Sequence, residues 1–235
     1  MTSTLLLRLS GPMQSWGTSS NFETRRTDRI PSKSGIVGMI GAALGMTRGD
    51  DFRSLSEKLR VGFRVDRPGK LLLDFHTVQP IDLNGKLTYR EYLCDAVFLA
   101  GIESDDTTIF EISKAINNPF YPIYLGRRSC PPDKPVFYAI KVNAELEDSL
   151  IDEMPLVEDT GSFGSLPIYY EPKNIDPSTR FVRDEVVSFD MSYRHHRNRP
   201  AKMINKALYI DHDPMAELYM SEQESGGEKN VHDSD

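Results

Sequence analysis

Apolar positions in this chain arrive first as a continuous run and only later alternate. TLLLRL at 4–9 is bounded by Gly11-Pro12 and predicts a buried strand. A long polar stretch, 11–33, follows. Then GIVGMIGAALG at 35–45 repeats glycine at 35, 38, 41 and 45, a spacing that keeps small residues on one side of a helix. Ser34 or Ser32 suits its N-cap and Gly45 its C-terminal stop. A short polar helix is expected around 50–59. VGFRVD at 61–66 and KLLLDFHTV at 70–78 read as adjacent strands divided by the turn Arg67-Pro68-Gly69. Asn84-Gly85 is the strongest hairpin signal, and the returning strand runs through KLTYREYL into LCDAVFLAGI. Ile109, Ile112 and Ile116 share one face of a helix predicted at 106–117, and a strand follows near 136–141.

The order β-α-β-β-α-β over residues 1–141 is the split βαβ plan, so the expected class is α+β, ferredoxin-like (RRM-like), with a protruding β-hairpin around 78–92. Residues 142–210, rich in Pro and acids before a basic strand near 181–190, are expected as a smaller β-rich appendage. The acidic segment 211–235 is expected to be largely disordered.

Composition changes this picture little, but charge does. The 235 residues carry a net charge of −7, yet residues 1–90 hold fourteen Lys/Arg against eight Asp/Glu, and residues 211–235 hold one lysine against eight acids. Between 180 and 206 seven cations again exceed three acids. A local basic field of this kind attracts a polyanion whatever the overall sign. The start, MTSTLLLRLSGPM, has too short an apolar run for a signal peptide, and GIVGMIGAALGM is too short to span a bilayer. Cys94 and Cys130 have no CxxC spacing, which indicates neither a disulfide framework nor a zinc site. A cytoplasmic protein without membrane contact, metal or cofactor is expected.

Candidate chemistry concentrates in four places. Ser32-Lys33-Ser34 beside a glycine-rich helix superficially resembles a phosphate loop, but Pro31 and Ser32 stand where the Walker pattern needs glycine before the lysine. The helix mouth with Lys33 and Ser34 still suits one or two phosphates, and the sheet is expected against the helix body. Trp16 and Phe22, interleaved with Arg25, Arg26 and Arg29, combine stacking planes with phosphate-binding cations, the chemistry that holds single-stranded RNA. Arg127 and Arg128 follow Gly126 in a second loop. The hairpin carries Gln79, Lys86, Tyr89, Arg90 and Tyr92. His76, Tyr89 and Lys86 are also the groups from which a metal-free RNA cleavage site would have to be built. His195-His196, adjacent on a strand, would face opposite ways, which suits neither a metal nor an acid–base pair.

LSGPMQSWG at 9–17, PSKSGIVGMIGAALG at 31–45, DFHTVQP at 74–80, REYLCDAVF at 90–98 and YLGRRSCPP at 124–132 together resemble the Cas-five family of CRISPR-associated proteins, in its CasD-type branch of the subtype I-E Cascade complex. The resemblance covers about 1–200 and weakens after 142. It implies a non-enzymatic subunit that holds the 5′ handle of the CRISPR RNA, caps the complex, contacts the Cas-seven backbone subunit and the large subunit, and carries a thumb-like hairpin. Gln14, Trp16, Arg25, Arg26, Arg29, Lys33, Ser34, His76, Gln79, Arg90, Tyr92, Arg127 and Arg128 are then the expected RNA contacts. Another branch, in subtype I-C, consists of metal-independent endoribonucleases, and that activity is the alternative function.

Residues 211–235 offer too little apolar area to offset the cost of ordering them. Deleting 222–235 is expected to leave the thermal unfolding midpoint and RNA binding unchanged, and a large fall in the midpoint would show that this segment packs.

Overall fold

The computed structural model describes residues 1–17, 23–78, 86–158 and 165–207. Its elements are β1 (Thr2–Ser10), β2 (Met13–Gln14), β3 (Thr24–Arg25), α1 (Lys33–Leu44), α2 (Phe52–Glu57), β4 (Arg60–Arg67), β5 (Lys70–Val78), β6 (Lys86–Cys94), β7 (Val97–Asp105), α3 (Asp106–Asn117), β8 (Phe137–Lys141), α4 (Leu146–Asp152), β9 (Ser165–Tyr170), β10 (Arg180–Ser188) and β11 (His195–Ala207). The class is mixed α+β, dominated by antiparallel sheets. A seven-stranded sheet runs β10-β11-β9-β4-β7-β1-β8, with every neighbouring pair antiparallel. Among the described residues no helix is long and apolar enough to cross a membrane.

The unbroken run in β1, which lies between β7 and β8, follows from cover on both faces. Leu5, Leu7 and Leu9 are buried in the core shared with Ile36 and Ile40 of α1 and Ile109, Ile112 and Ile116 of α3. Leu6 points the other way, into a second cluster with Leu99 and with Leu146 and Leu150 of α4. A strand covered on both faces has no reason to alternate. Strands β9, β11 and β10 carry the sheet on beyond β4, so the chain after 142 shares it.

Strands β4 and β5 are consecutive but, contrary to the sequence reading, they are not paired. β4 pairs with β7 and β9, whereas β5 pairs with β6 in a second sheet. The β4–β7 pairing ends at Arg67↔Val97, after a register shift, and β5–β6 pairing resumes at Lys70↔Cys94. One long hairpin is therefore bent at its middle, its lower half in the main sheet and its upper half a projecting ribbon. Pairing is described as far as Val78↔Lys86. Asn84-Gly85 and Gln79 lie outside the described residues, as do Phe22 and the segment 208–235.

Ser32 caps α1, its hydroxyl accepting from the Gly35 amide, and Gly45 ends the helix in the left-handed conformation. The glycine face meets aromatic rings, which corrects the expectation of a sheet there. A Cβ on Gly41 would stand 2.2 Å from the Phe52 ring, and one on Gly35 would stand 2.9 Å from Trp16. The sheet side is taken instead by the large apolar residues Ile36 and Ile40.

The mouth of α1 is closed by acids. Its first amide, Lys33 N, donates to Asp184 Oδ2 at 2.8 Å, and Asp184 is itself paired with Arg199. The Lys33 ammonium donates to Glu171 Oε2 and Glu185 Oε1, both at 3.0 Å, and Arg197 bridges Glu185 and Glu57. Two of the seven cations between 180 and 206, Arg197 and Arg199, are consumed here rather than displayed.

Burial alone would raise the Glu185 carboxyl, but Arg197 and Lys33 outweigh it and hold it below its ordinary value of 4.5. A depressed carboxylate adds stability above that value, lost as pH falls through its folded value. Lys33→Met, which removes the partner of Glu171 and leaves Glu185 with Arg197 alone, is expected to cost about 3 kcal/mol at neutral pH. The gap to the parent protein should narrow on acidification below 4.5, because Glu185 protonates more readily in the variant. Denaturant melts at several pH values measure both, and a gap that stays constant would contradict this account.

Candidate nucleic-acid interface

Strand β6 is the spine of the site. β5 lies antiparallel on one side of it, while β3 lies parallel on the other, with Thr24 opposite Tyr89 and Arg25 opposite Arg90. Directly opposed residues share a face of a sheet, so Arg25, Arg90 and Asp74 form one row across three strands. His76 and Tyr92 lie on that same face, because His76 opposes Thr88 and Tyr92 stands two residues from Arg90. His76 Nε2 contacts Asp74 Oδ2.

Arg127 locks this surface to the polar stretch before α1. It donates to Arg25 O at 2.9 Å and Glu91 O at 3.1 Å, and its guanidinium lies 4.9 Å from the centre of the Tyr92 ring. The Arg127 loop is closed on itself by Leu125 N to Cys130 O and Cys130 N to Arg127 O. It docks on the chain after β1 through Ser15 N to Leu125 O. Gly126, at φ +86°, makes that docking possible: a Cβ there would stand 1.8 Å from Ser15 O. Burial would raise the Tyr92 phenol, but interactions with Ser129, Arg127 and Arg90 outweigh it and hold the phenol below its ordinary value. The Arg90 Nε is buried without a hydrogen-bond partner, a donor that has been desolvated and has nothing to bond.

The two basic loops predicted from sequence thus meet on one surface. Arg25, Arg26, Arg29 and Arg128 are exposed on it or beside it, with Arg90, Arg127 and His76 half-buried. Five other expected contacts are buried. Gln14 is 0% and Trp16 1% exposed: the Gln14 amide donates to Leu9 O and Ala96 O and accepts from the Trp16 indole, so both serve the fold. Tyr92, 4% exposed, is covered by Arg127 and offers no open plane. Lys33 is 1% exposed within its acid cluster, and Ser34 is buried beside Ser32.

Sequence reasoning missed the opposite face of the ribbon. Leu71, Leu73 and Phe75 of β5 with Leu87 and Tyr89 of β6 all point there and are exposed, Phe75 by 67%. The i, i+2, i+4 spacing was visible, but a pattern of two does not say whether its apolar side is covered. Tyr89 is on this face and His76 on the other.

Residues 4–206 match the family described as CRISPR-associated protein (Cas_Cas5). The chain belongs to that family. This Cas5 chain is 37% identical over 180 residues to the CRISPR system Cascade subunit CasD of Escherichia coli (strain K12), a match covering 66% of this chain and 79% of that relative. In three dimensions it resembles a chain of a CRISPR RNA-guided surveillance complex, with TM-score 0.74 and 30% identity over 92% of this chain and 98% of that one. It also resembles a crystal structure of a Cas protein, with TM-score 0.66 and 32% identity over 87% and 95% of the two chains. The family match, which runs to residue 206, takes in the late strands of the main sheet.

Proposed function

We propose that this Cas5 protein is a non-catalytic subunit of a type I-E Cascade complex and acts in CRISPR defence by holding the 5′ handle of the CRISPR RNA on the β3–β6–β5 face. The observation that carries this reading is the bridge made by Arg127, which joins the Arg25–Arg26 segment, β6 and its own loop into one basic strip. Phosphates would lie along Arg25, Arg26, Arg90, Arg127 and Arg128, with Arg29 and His76 at the margins and Gln79 further along the ribbon. Residues 1–141 are the RNA-holding unit. Their sheet is read as ferredoxin-like, supported by the order β8-β1-β7-β4 and by helices α1 and α3 in its two crossovers. Residues 142–210 extend that sheet as a β-rich appendage.

The ribbon is the thumb, and its two faces divide the work. The basic face serves RNA. The apolar face with Leu73 and Phe75 suits a protein neighbour, since exposed apolar patches mark interaction surfaces, and the Cas-seven backbone subunit is assigned to it. The large subunit contacts the capped end.

Two measurements test this. Each lost phosphate contact lowers the salt slope of single-strand binding by roughly 0.7. Arg25→Glu with Arg26→Glu should therefore weaken handle binding and flatten its salt dependence. Reversing Arg48 and Arg53, beyond the far end of α1, should do much less, and equal effects would leave only a diffuse field. The alternative function, a metal-independent endoribonuclease, needs an acid and a base converging on one phosphate, whereas His76 and Tyr89 occupy opposite faces of the ribbon. Purified protein incubated with repeat RNA in EDTA is expected to leave it intact. A cyclic-phosphate product abolished by His76→Ala would instead favour the nuclease.

A further inference from the structure

Two of the four buried side-chain polar atoms without a partner among the described residues are arginine nitrogens. One, Arg90 Nε, belongs to the proposed RNA face. The other, Arg8 Nε, belongs to a residue that lines a cleft of about 220 Å³ on a different part of the molecule. Arg8 is on the same face of β1 as Leu6, the face covered by α4, and its guanidinium lies 5.1 Å from the Tyr138 ring centre. Nothing in that arrangement satisfies its Nε. A desolvated guanidinium donor lacking an acceptor calls for a ligand or ordered water.

Two more cations share the cleft, Arg67 at the bend of the hairpin and Lys134 at the end of the loop that begins with Arg127. Two acids also line it. Asp133 accepts from the Ser10 hydroxyl, and Asp95 holds Arg67 in place through its carbonyl oxygen, 2.7 Å from Arg67 Nε. Three cations against two carboxylates leave one positive charge, which balances a monoanion and not a dianion. Val97 and Leu156 supply apolar wall. The volume is several times the ~30 Å³ share of one water, enough for a phosphate and part of the sugar attached to it.

We infer that this cleft is a second nucleic-acid subsite, taking one phosphodiester of the RNA strand where it leaves the basic strip. The inference rests on the RNA-holding reading. The link between the two places is covalent: the segment 124–134 presents Arg127 and Arg128 to the strip at one end and Asp133 and Lys134 to the cleft at the other. The segment 10–16 runs alongside it, through Asp133 N to Ser10 O and Ser15 N to Leu125 O. A phosphodiester, singly charged and with two free oxygens, matches both the surplus charge and the unpaired donor. A carboxylate on a partner protein matches the charge as well, and the test separates the two.

The first arm needs no RNA. Dimethyl phosphate, a minimal phosphodiester, is titrated into the full-length protein while the Arg8 Nε–Hε resonance is followed, with acetate as the comparison. A saturable shift with dimethyl phosphate and a weaker one with acetate is expected. Lys134→Gln, at an exposed position, should weaken that binding by about fivefold. No saturable shift, or an equal response to acetate, overturns the phosphodiester assignment. The second arm measures handle RNA. Lys134→Gln should lower the salt slope by roughly 0.7, in addition to the loss caused by reversing Arg25 and Arg26. If the parent protein binds handle RNA and the Arg25–Arg26 reversal flattens its slope while Lys134→Gln changes nothing, the cleft subsite is wrong and the RNA-holding reading stands. If the parent protein and its assembled complex fail to bind handle RNA at all, that reading fails, and this inference with it.

Discussion

The ammonium of Lys33 lies between the carboxylates of Glu171 and Glu185, and the layout of the second half of the chain follows from that contact. The partners are 138 and 152 residues away in sequence. An unpaired charge at 1% exposure would be costly, so the docked position of α1 depends on the segment after β9 and on strand β10. Asp184, next to Glu185, completes the arrangement by taking the first amide of α1 and pairing with Arg199. A helix mouth that looks ready for phosphate is thereby filled from within by the protein's own acids.

With that mouth closed, the basic surface lies elsewhere, and its position depends on a single shared strand. β6 is continuous with β7 through the corner at 94–97, and β7 is central in the main sheet. The ribbon therefore inherits its direction from the core. β2 and β3 add to β6 from the polar stretch, and Arg127 ties the third segment on by donating to backbone oxygens. Using backbone acceptors matters, because Arg127 ties the segments together without taking up a carboxylate. The same alternation that gathers Arg90 and Tyr92 on one side sends Leu87 and Tyr89 to the other. The ribbon in this way presents a basic face and an apolar face back to back.

Local order was largely legible in the amino-acid sequence. The run TLLLRL marked a buried strand, isoleucines spaced by three and four marked α3, and Gly45 marked the end of α1, because backbone propensity, periodicity and caps are properties of a few neighbouring residues. The segments of Cas5 character, and the basic loops at 25–29 and 127–128, were equally local and equally visible. Tertiary structure alone decided which charges are available. Lys33 and Arg25 look alike in sequence, but one is neutralised by acids brought from more than a hundred residues away and the other stays exposed. Tertiary structure likewise put β4 and β5 in different sheets, turned the glycine face of α1 toward aromatic rings, and left Leu73 and Phe75 uncovered. Each of these outcomes is a matter of what lies across a contact, and a one-dimensional pattern records spacing along the chain without recording the partner.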